Sequence, residues 1–144
     1  MATARVIEEL PASADAAWAC LADFCDMSAW SPDSNVVRSE GTGLGAVRVV
    51  DGADGRYVER CEAYDPVARS FRYSLVESPH NYDRYLGEVT LTPLGDDRCR
   101  IEWSSDFEIG GVPIERVAKA CEAMYRDYFI SNLRKTLEGR VAAD

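Results

Sequence analysis

The last third of the chain carries the feature that most restricts the fold, a single long helical pattern from Pro113 to Glu138. Proline is favoured at a first helical position, and Gly139 is placed to cap the far end. A helix of about 26 residues would be roughly 39 Å long, so in a short chain it must cross most of the domain. Apolar residues recur along it at helical spacing: Ile114, Val117, Ala118, Cys121, Met124, Tyr125, Tyr128, Phe129, Leu133 and Leu137.

The sequence before this helix changes to a period of two, which is typical of antiparallel strands. Seven segments fit: Arg5 to Leu10, Asn35 to Glu40, Ala46 to Val50, Arg56 to Tyr64, Ser70 to Val76, Tyr82 to Thr92, and Arg98 to Glu108. Two short helices are predicted after the first strand, at Ala14 to Asp23, with Ser13 as N-cap, and at Phe24 to Trp30. One antiparallel sheet with its helices on one side is an α+β architecture, and the sheet is expected to curve around the long helix.

Length and charge restrict the domain count and the partners. One domain over residues 1–144 is expected, as a monomer or a homodimer. The net charge of −9 argues against nucleic acid or an anionic membrane surface as a partner. No apolar run is long enough to span a bilayer, and the N-terminus lacks the apolar core of a signal peptide. A cytoplasmic location without stable membrane insertion is therefore the expectation.

The cysteine and histidine content gives no support for a metal or a cofactor. No Cys-x-x-Cys pair occurs, and Cys61, Cys99 and Cys121 lie among apolar neighbours, as small core residues do. His80 is the single histidine, so a histidine cluster cannot form. No Gly-x-Ser-x-Gly motif is present, and the glycine-rich turn at 41–45 lacks the Lys-Ser/Thr of a phosphate loop. We expect neither metal nor cofactor.

A series of short motifs follows a fixed order along nearly the whole chain. They are Pro11–Trp18, Trp30–Pro32, Gly41–Gly45, Tyr57–Arg60, Tyr64–Pro66, Phe71–Tyr73, Tyr85, Trp103–Phe107 and the C-terminal helix. The ordered set resembles the START/Bet v 1-like superfamily, in particular its bacterial polyketide cyclase/dehydrase and lipid-transport branch. The resemblance implies a helix-grip fold around an apolar cavity. Its members include binders of lipids and other hydrophobic molecules, as well as polyketide aromatases and cyclases, so no single reaction is implied.

Strand alternation assigns the side chains that face the expected cavity, because successive residues point to opposite faces. Arg60 and Glu62 share the solvated face of their strand, which turns Tyr57 and Glu59 inward. Tyrosines suit such a cavity, since each offers an apolar ring and one hydroxyl. The candidate ligand-binding residues are Trp30, Tyr57, Glu59, Tyr73, Tyr85, Trp103, Ser105, Cys121, Met124, Tyr125 and Tyr128.

Glu59 is the acidic member of this inward set, and with Tyr73 and His80 it forms the candidate catalytic set. A carboxylate among aromatic rings is costly unless it is paired or stays protonated, and a protonated carboxyl would suit a general acid. The alternative is that Glu59 lies at the rim or pairs with an arginine. The sequence predicts that Glu59→Gln changes ligand affinity or turnover with little loss of stability. His80 lies in a loop, where a solvated histidine is the ordinary case.

Three functions are compatible with these residues. The first is a carrier or sensor that encloses a hydrophobic small molecule, lipid-like or polyketide-like. The second is an enzyme of the cyclase/dehydratase type, in which the cavity holds a flexible chain in a reactive shape while Glu59 and a tyrosine act as acid or base. The third is a protein-interaction module with a vestigial cavity.

Overall fold

The computed structural model describes residues 2–143 and the side chains of residues 2–140. Its sheet has seven antiparallel strands in the order β1-β7-β6-β5-β4-β3-β2. The strands are β1 Ala2–Leu10, β2 Asn35–Glu40, β3 Val47–Gly52, β4 Gly55–Asp65, β5 Ser70–Glu77, β6 Tyr82–Gly95 and β7 Arg98–Ile109. The predicted α+β helix-grip architecture is confirmed. Residues 1 and 144 of the predicted domain lie outside the described residues.

The sheet bends because several of its strand pairs contain irregularities of register. The pairing shifts between Val36 and Arg38 in β2, twice within β4, and twice within β6. An extra residue on one strand bends that strand and increases its local twist. The result is a concave face, and the helices pack against it.

The C-terminal helix fills that concave face and has three parts, α2 Ile114–Met124, a π-helical segment Tyr125–Ile130, and α3 Ser131–Ala143. Pro113 is its N-cap. The prediction that Gly139 ends the helix is wrong, because the helix continues to Ala143. An interior glycine costs only about 1 kcal/mol relative to alanine, and the helix-forming residues that follow offset this cost.

The π-helical segment keeps the buried side of the helix facing the sheet. Cys121 and Tyr125 are buried four positions apart, but the next buried residue, Ile130, follows only after five. Five residues of a regular α-helix would rotate Ile130 well away from Tyr125, whereas the wider i to i+5 turn returns it to the same side. Leu133 and Leu137 then continue the buried stripe.

One helix, α1 Ala14–Leu21, lies between β1 and β2, and the Ser13 hydroxyl caps it by accepting a hydrogen bond from the Ala16 amide at 3.1 Å. The predicted second helix at Phe24–Trp30 forms turns instead. Asp23 and Asp26 explain this difference, because their carboxylates accept the amides of Cys25 and Ser28 at 3.1 and 3.0 Å. Such side-chain bonds compete with the helical backbone bonds.

The core lies between the sheet and these helices. Cys61, Cys99 and Cys121 are 1%, 0% and 5% exposed, which confirms their prediction as core residues. Within residues 2–143, none of the helices combines the length and the apolar character that a membrane crossing requires.

Candidate functional site

Five of the predicted ligand-binding residues meet in one hydrogen-bonded chain between the sheet and the C-terminal helix. The Trp103 indole donates to the Tyr73 hydroxyl at 3.2 Å, and that hydroxyl lies 3.5 Å from the hydroxyl of Tyr85. The Tyr85 hydroxyl is bonded to that of Tyr125, which lies 2.7 Å from the Ser105 hydroxyl oxygen. All five side chains are buried. We call this set the hydroxyl chain.

The position of the hydroxyl chain follows from local structure. Tyr73 lies on β5, Tyr85 on β6, and Trp103 and Ser105 on β7, so three neighbouring strands supply the sheet side. Tyr125 is the first residue of the π-helical segment and supplies the helix side.

Burial keeps the tyrosines of the hydroxyl chain neutral. Desolvation is the main cause that raises the pKa of Tyr73 to about 12, and the nearby negative charge of Glu59 adds to it. Desolvation also raises the pKa of Tyr85 and of Tyr125 well above the ordinary value. At neutral pH the hydroxyls therefore act as uncharged donors and acceptors.

The same burial predicts a loss of stability in alkali. A raised folded-state pKa means that the stabilisation is complete below the unfolded tyrosine pKa near 10 and is lost as the pH rises towards the folded value, about 12 for Tyr73. We expect the free energy of unfolding in urea to fall steadily above pH 10. The fall should be shallower in Tyr73→Phe, which lacks this ionisable group. Equal slopes in the two proteins would contradict the prediction.

A buried ion pair lies beside the hydroxyl chain. Arg48 Nε donates to Glu59 Oε1 at 2.8 Å, with the two side chains 2% and 13% exposed. A second nitrogen of Arg48 donates to the Phe24 carbonyl at 2.6 Å, and the guanidinium lies 3.9 Å from the centre of the Phe24 ring. Glu59 thus faces inward, as predicted, and the arginine partner of the alternative interpretation is present. Its catalytic role stays a prediction.

Arg48 was missed by the sequence reasoning. Its strand reads Val47-Arg48-Val49-Val50, so both faces carry valine and alternation does not decide which face is inward. The β3–β4 hairpin could have indicated that Arg48 faces inward, because its register places Arg48 directly opposite Glu59. Opposite charges at such cross-strand positions attract each other.

His80 lies in the loop between β5 and β6, outside the hydroxyl chain. His80 Nε2 is 2.8 Å from a carboxylate oxygen of Asp54, and the Tyr57 hydroxyl donates to the same oxygen at 2.7 Å. The hydrogen bond from Tyr57 is the main cause that lowers the pKa of Asp54. His80 and Asp54 are half exposed. Tyr57 and His80 thus belong to a rim cluster that joins the β3–β4 turn to the β5–β6 loop.

The remaining candidates divide between the interior and the surface. Cys121 is buried, with its sulfur 3.8 Å from the Tyr82 hydroxyl. Tyr128 is partly buried, and its hydroxyl donates to the Asp33 carboxylate at 3.0 Å. Met124 is 45% exposed, so its prediction as an inward residue is wrong. Adjacent helical residues are rotated by about 100°, and Tyr125 takes the inward position next to it.

Aromatic side chains occupy the space predicted to be an open cavity. Trp103 stacks on Tyr125 and Phe129 with ring centres 5.9 and 5.1 Å apart. Trp30 is buried and packs edge-on against Trp103 and Phe129, at 5.1 and 5.0 Å. A groove of about 560 Å³ lies on the outer face of β2, β3 and β4. The interior site is therefore a packed aromatic cluster with polar groups inside it.

Comparisons with known proteins agree with this fold. A family model described as polyketide cyclase / dehydrase and lipid transport matches residues 1–138. No curated protein matches the sequence significantly.

Three solved structures illustrate the fold similarity. XoxI from Bacillus cereus is 23% identical with a TM-score of 0.82, over 95% of this chain and 96% of that chain. A point mutant of norcoclaurine synthase from Thalictrum flavum, in complex with a transition-state analogue, is 18% identical with a TM-score of 0.73, over 96% and 95%. A START superfamily protein from Mycobacterium smegmatis is 21% identical with a TM-score of 0.69, over 98% and 97%.

Proposed function

Because the chain belongs to the polyketide cyclase/dehydrase and lipid transport family, we propose that it binds a hydrophobic small molecule between the concave face of the sheet and the C-terminal helix. The observation that carries the proposal is the hydroxyl chain inside an aromatic cluster. A few fixed polar groups in an apolar site orient a ligand, and this is how small-molecule sites obtain specificity.

Stability alone does not account for these polar groups. Buried hydrogen bonds contribute little net free energy, and a buried ion pair is often no better than apolar residues of the same shape. A core built for stability would place leucine or phenylalanine where Tyr85, Tyr125 and the Arg48–Glu59 pair stand. The polar groups are explained by a ligand whose own polar atoms they contact.

The ligand enters by displacing side chains, because aromatic rings fill the site in this structure. Phe129 is partly exposed at the edge of the cluster, and Trp30 belongs to the stretch between α1 and β2, which consists of turns. Among the described residues, few side-chain hydrogen bonds connect this stretch to the C-terminal helix. The Tyr128 hydroxyl bonds Asp33, and the Thr136 hydroxyl donates to the Ala29 carbonyl at 2.7 Å. Sites of this kind open when a ligand stabilises a minor conformation.

The test is binding of Nile red, a neutral lipophilic dye whose fluorescence rises in apolar surroundings. We expect saturable binding that unlabelled apolar compounds compete away. Tyr125→Phe, which removes the hydroxyl between Tyr85 and Ser105, should weaken binding about tenfold, or about 1.4 kcal/mol.

The matched control is Tyr64→Phe, because the Tyr64 hydroxyl donates to the Ala22 carbonyl at 2.8 Å, outside the hydroxyl chain. This variant should bind the dye like the unsubstituted protein. An absence of saturable binding, or equal affinity in Tyr125→Phe, would refute the proposal.

A second candidate function is catalysis of the cyclase/dehydratase type. The observation that favours it is that the interior holds both an acid, the inward-facing Glu59, and a neutral hydroxyl, that of the buried Tyr73. Such a pair could exchange a proton with a bound substrate. Turnover of a compound with several carbonyl groups, reduced in Tyr73→Phe by far more than Nile red binding is weakened, would favour catalysis over binding alone.

A further inference from the structure

Trp30 carries an unsatisfied hydrogen-bond donor. Among the buried side-chain nitrogen and oxygen atoms of the described residues, its indole Nε1 is the one without a partner. The side chain is 2% exposed, so bulk water does not satisfy the group. Buried polar groups are nearly always paired, and an indole N–H can only donate. The missing partner must therefore be an acceptor.

The three side chains that pack on the Trp30 ring do not supply an acceptor. Its ring packs against the Trp103 and Phe129 rings, with centres 5.1 and 5.0 Å away. The guanidinium of Arg48 lies 5.3 Å from the Trp30 ring. A guanidinium and a second indole are donors only, and phenylalanine has no polar atom. A small rearrangement of these three neighbours would not pair the Trp30 N–H.

Trp30 belongs to the same site as the hydroxyl chain. Trp103 connects the two, since it packs against Trp30 and also donates its own N–H to Tyr73. A ligand that replaces Phe129 in this cluster would contact Trp30 on one side and Trp103 on the other. It can then bring the acceptor that the indole lacks.

The charges near Trp30 restrict which kind of acceptor the ligand can bring to its indole. Arg48 and Glu59 form a pair without net charge, so the cation is already compensated. A carboxylate placed beside them would leave one uncompensated negative charge in a region with little access to water, which is strongly unfavourable. A neutral oxygen acceptor carries no such penalty.

We propose that the ligand presents a neutral carbonyl oxygen, of a ketone, aldehyde, ester or amide, to Nε1 of Trp30. The inference rests on the proposed function and deepens it by naming the polar group of the ligand. It predicts discrimination among apolar molecules of similar size. Ketones and esters bind, the corresponding hydrocarbons bind more weakly, and free fatty acids in their ionised form are rejected.

The experiment compares 2-decanone, decane and decanoate as competitors of Nile red on the full chain. The ketone should displace the dye at a concentration at least about tenfold lower than the other two compounds. In parallel, the indole N–H signals of the three tryptophans are followed by NMR on nitrogen-15-labelled protein. The Trp30 signal, assigned by its disappearance in Trp30→Phe, should move downfield with 2-decanone and stay in place with decane.

The control variant is Trp18→Phe, because the Trp18 ring packs on Tyr64 and Phe71, away from the hydroxyl chain. It should keep the preference for the ketone, whereas in Trp30→Phe 2-decanone should displace the dye no better than decane does. If Trp30→Phe does not fold, the signal is assigned from its through-space contacts with Phe129, and the titration of the unsubstituted protein decides.

Different failures refute different claims. Equal affinity for ketone and hydrocarbon, or a Trp30 signal that does not move with the ketone, overturns the carbonyl inference and leaves the proposed function standing. Tighter binding of decanoate than of 2-decanone overturns the choice of a neutral acceptor. Absence of any Nile red binding overturns the proposed function, and the inference with it.

Discussion

Glu59→Gln is expected to lower the free energy of unfolding by about 3–5 kcal/mol, the usual cost of removing one partner of a buried ion pair. The substitution keeps the size of the side chain and removes its charge. It leaves the guanidinium of Arg48, at 2% exposure, without a counter-ion. Arginine cannot lose its proton to escape this penalty. Urea denaturation followed by circular dichroism measures the change.

An exposed pair in the same sheet supplies the control. Arg72 and Glu88 form a salt bridge with side chains 55% and 31% exposed, so Glu88→Gln should cost at most about 1 kcal/mol. The double variant Arg48→Met with Glu59→Leu should recover much of the lost stability, because it removes both charges. If Glu59→Gln lowers the free energy of unfolding no more than Glu88→Gln does, the Arg48–Glu59 pair contributes no more to stability than an exposed pair.

This expectation revises the one drawn from the sequence, in which Glu59→Gln had little effect on stability. That expectation treated Glu59 as a carboxylate facing a cavity. The structure gives it a partner, Arg48, which also binds the Phe24 carbonyl and so connects β3 to the stretch after α1. A loss of ligand binding in Glu59→Gln must therefore be measured at a temperature where the variant is folded.

Gly87→Ala is expected to destabilise the protein by about 3 kcal/mol, at the upper end for an overpacked core. Gly87 lies opposite Tyr73 in the sheet, and a β-carbon there would come within 2.3 Å of the tyrosine ring. The ring cannot move aside, because Phe71, Tyr85 and Trp103 surround it. The measurement is the midpoint of urea unfolding.

Gly139→Ala is the matched control, since a β-carbon built at Gly139 meets no atom within 4 Å among the described residues outside its own turns of helix backbone. In the interior of a helix this change should stabilise by about 0.5–1 kcal/mol. Shortening the opposing side chain with Tyr73→Leu should make Gly87→Ala much less costly, which a double-mutant cycle detects. Equal costs of Gly87→Ala with and without the Tyr73 ring would show that the steric argument is mistaken.

Most of the fold could be predicted from local patterns in the sequence. Strand alternation is a strict period of two, so it gives both the strands and their inward faces once one solvated pair, such as Arg60 and Glu62, is recognised. Tyr73, Tyr85, Trp103 and Ser105 were assigned inward in this way, and all are buried. The helical spacing likewise placed Tyr125 on the buried side.

The features that were missed depend on contacts between distant residues. Burial of Arg48 depends on Glu59 in the next strand and on a carbonyl 24 positions away. The absence of a second helix depends on which backbone amides the carboxylates of Asp23 and Asp26 accept. Met124 was misplaced because a broad apolar stripe does not show which of two adjacent residues takes the inward position.

Whether the interior is an open cavity or a packed cluster also could not be predicted from the sequence. The same aromatic residues are compatible with an open cavity and with a packed cluster, because the distance between helix and sheet decides between the two arrangements. In this structure Trp30, Trp103, Tyr125 and Phe129 pack on one another. The sequence identifies these residues, but the distance between the C-terminal helix and the sheet cannot be predicted from it.

The π-helical segment has a consequence for how this helix tolerates changes of length. A surplus residue is already absorbed between Tyr125 and Ile130, so the two halves of the helix keep the same side towards the sheet. Deleting one residue there would restore regular winding and place Ile130 four residues after Tyr125, so that α3, with Leu133 and Leu137, would keep its buried side towards the sheet. A deletion of one residue is thus compatible with the fold in the stretch that begins at Tyr125, which is also the stretch that contributes to the proposed ligand site.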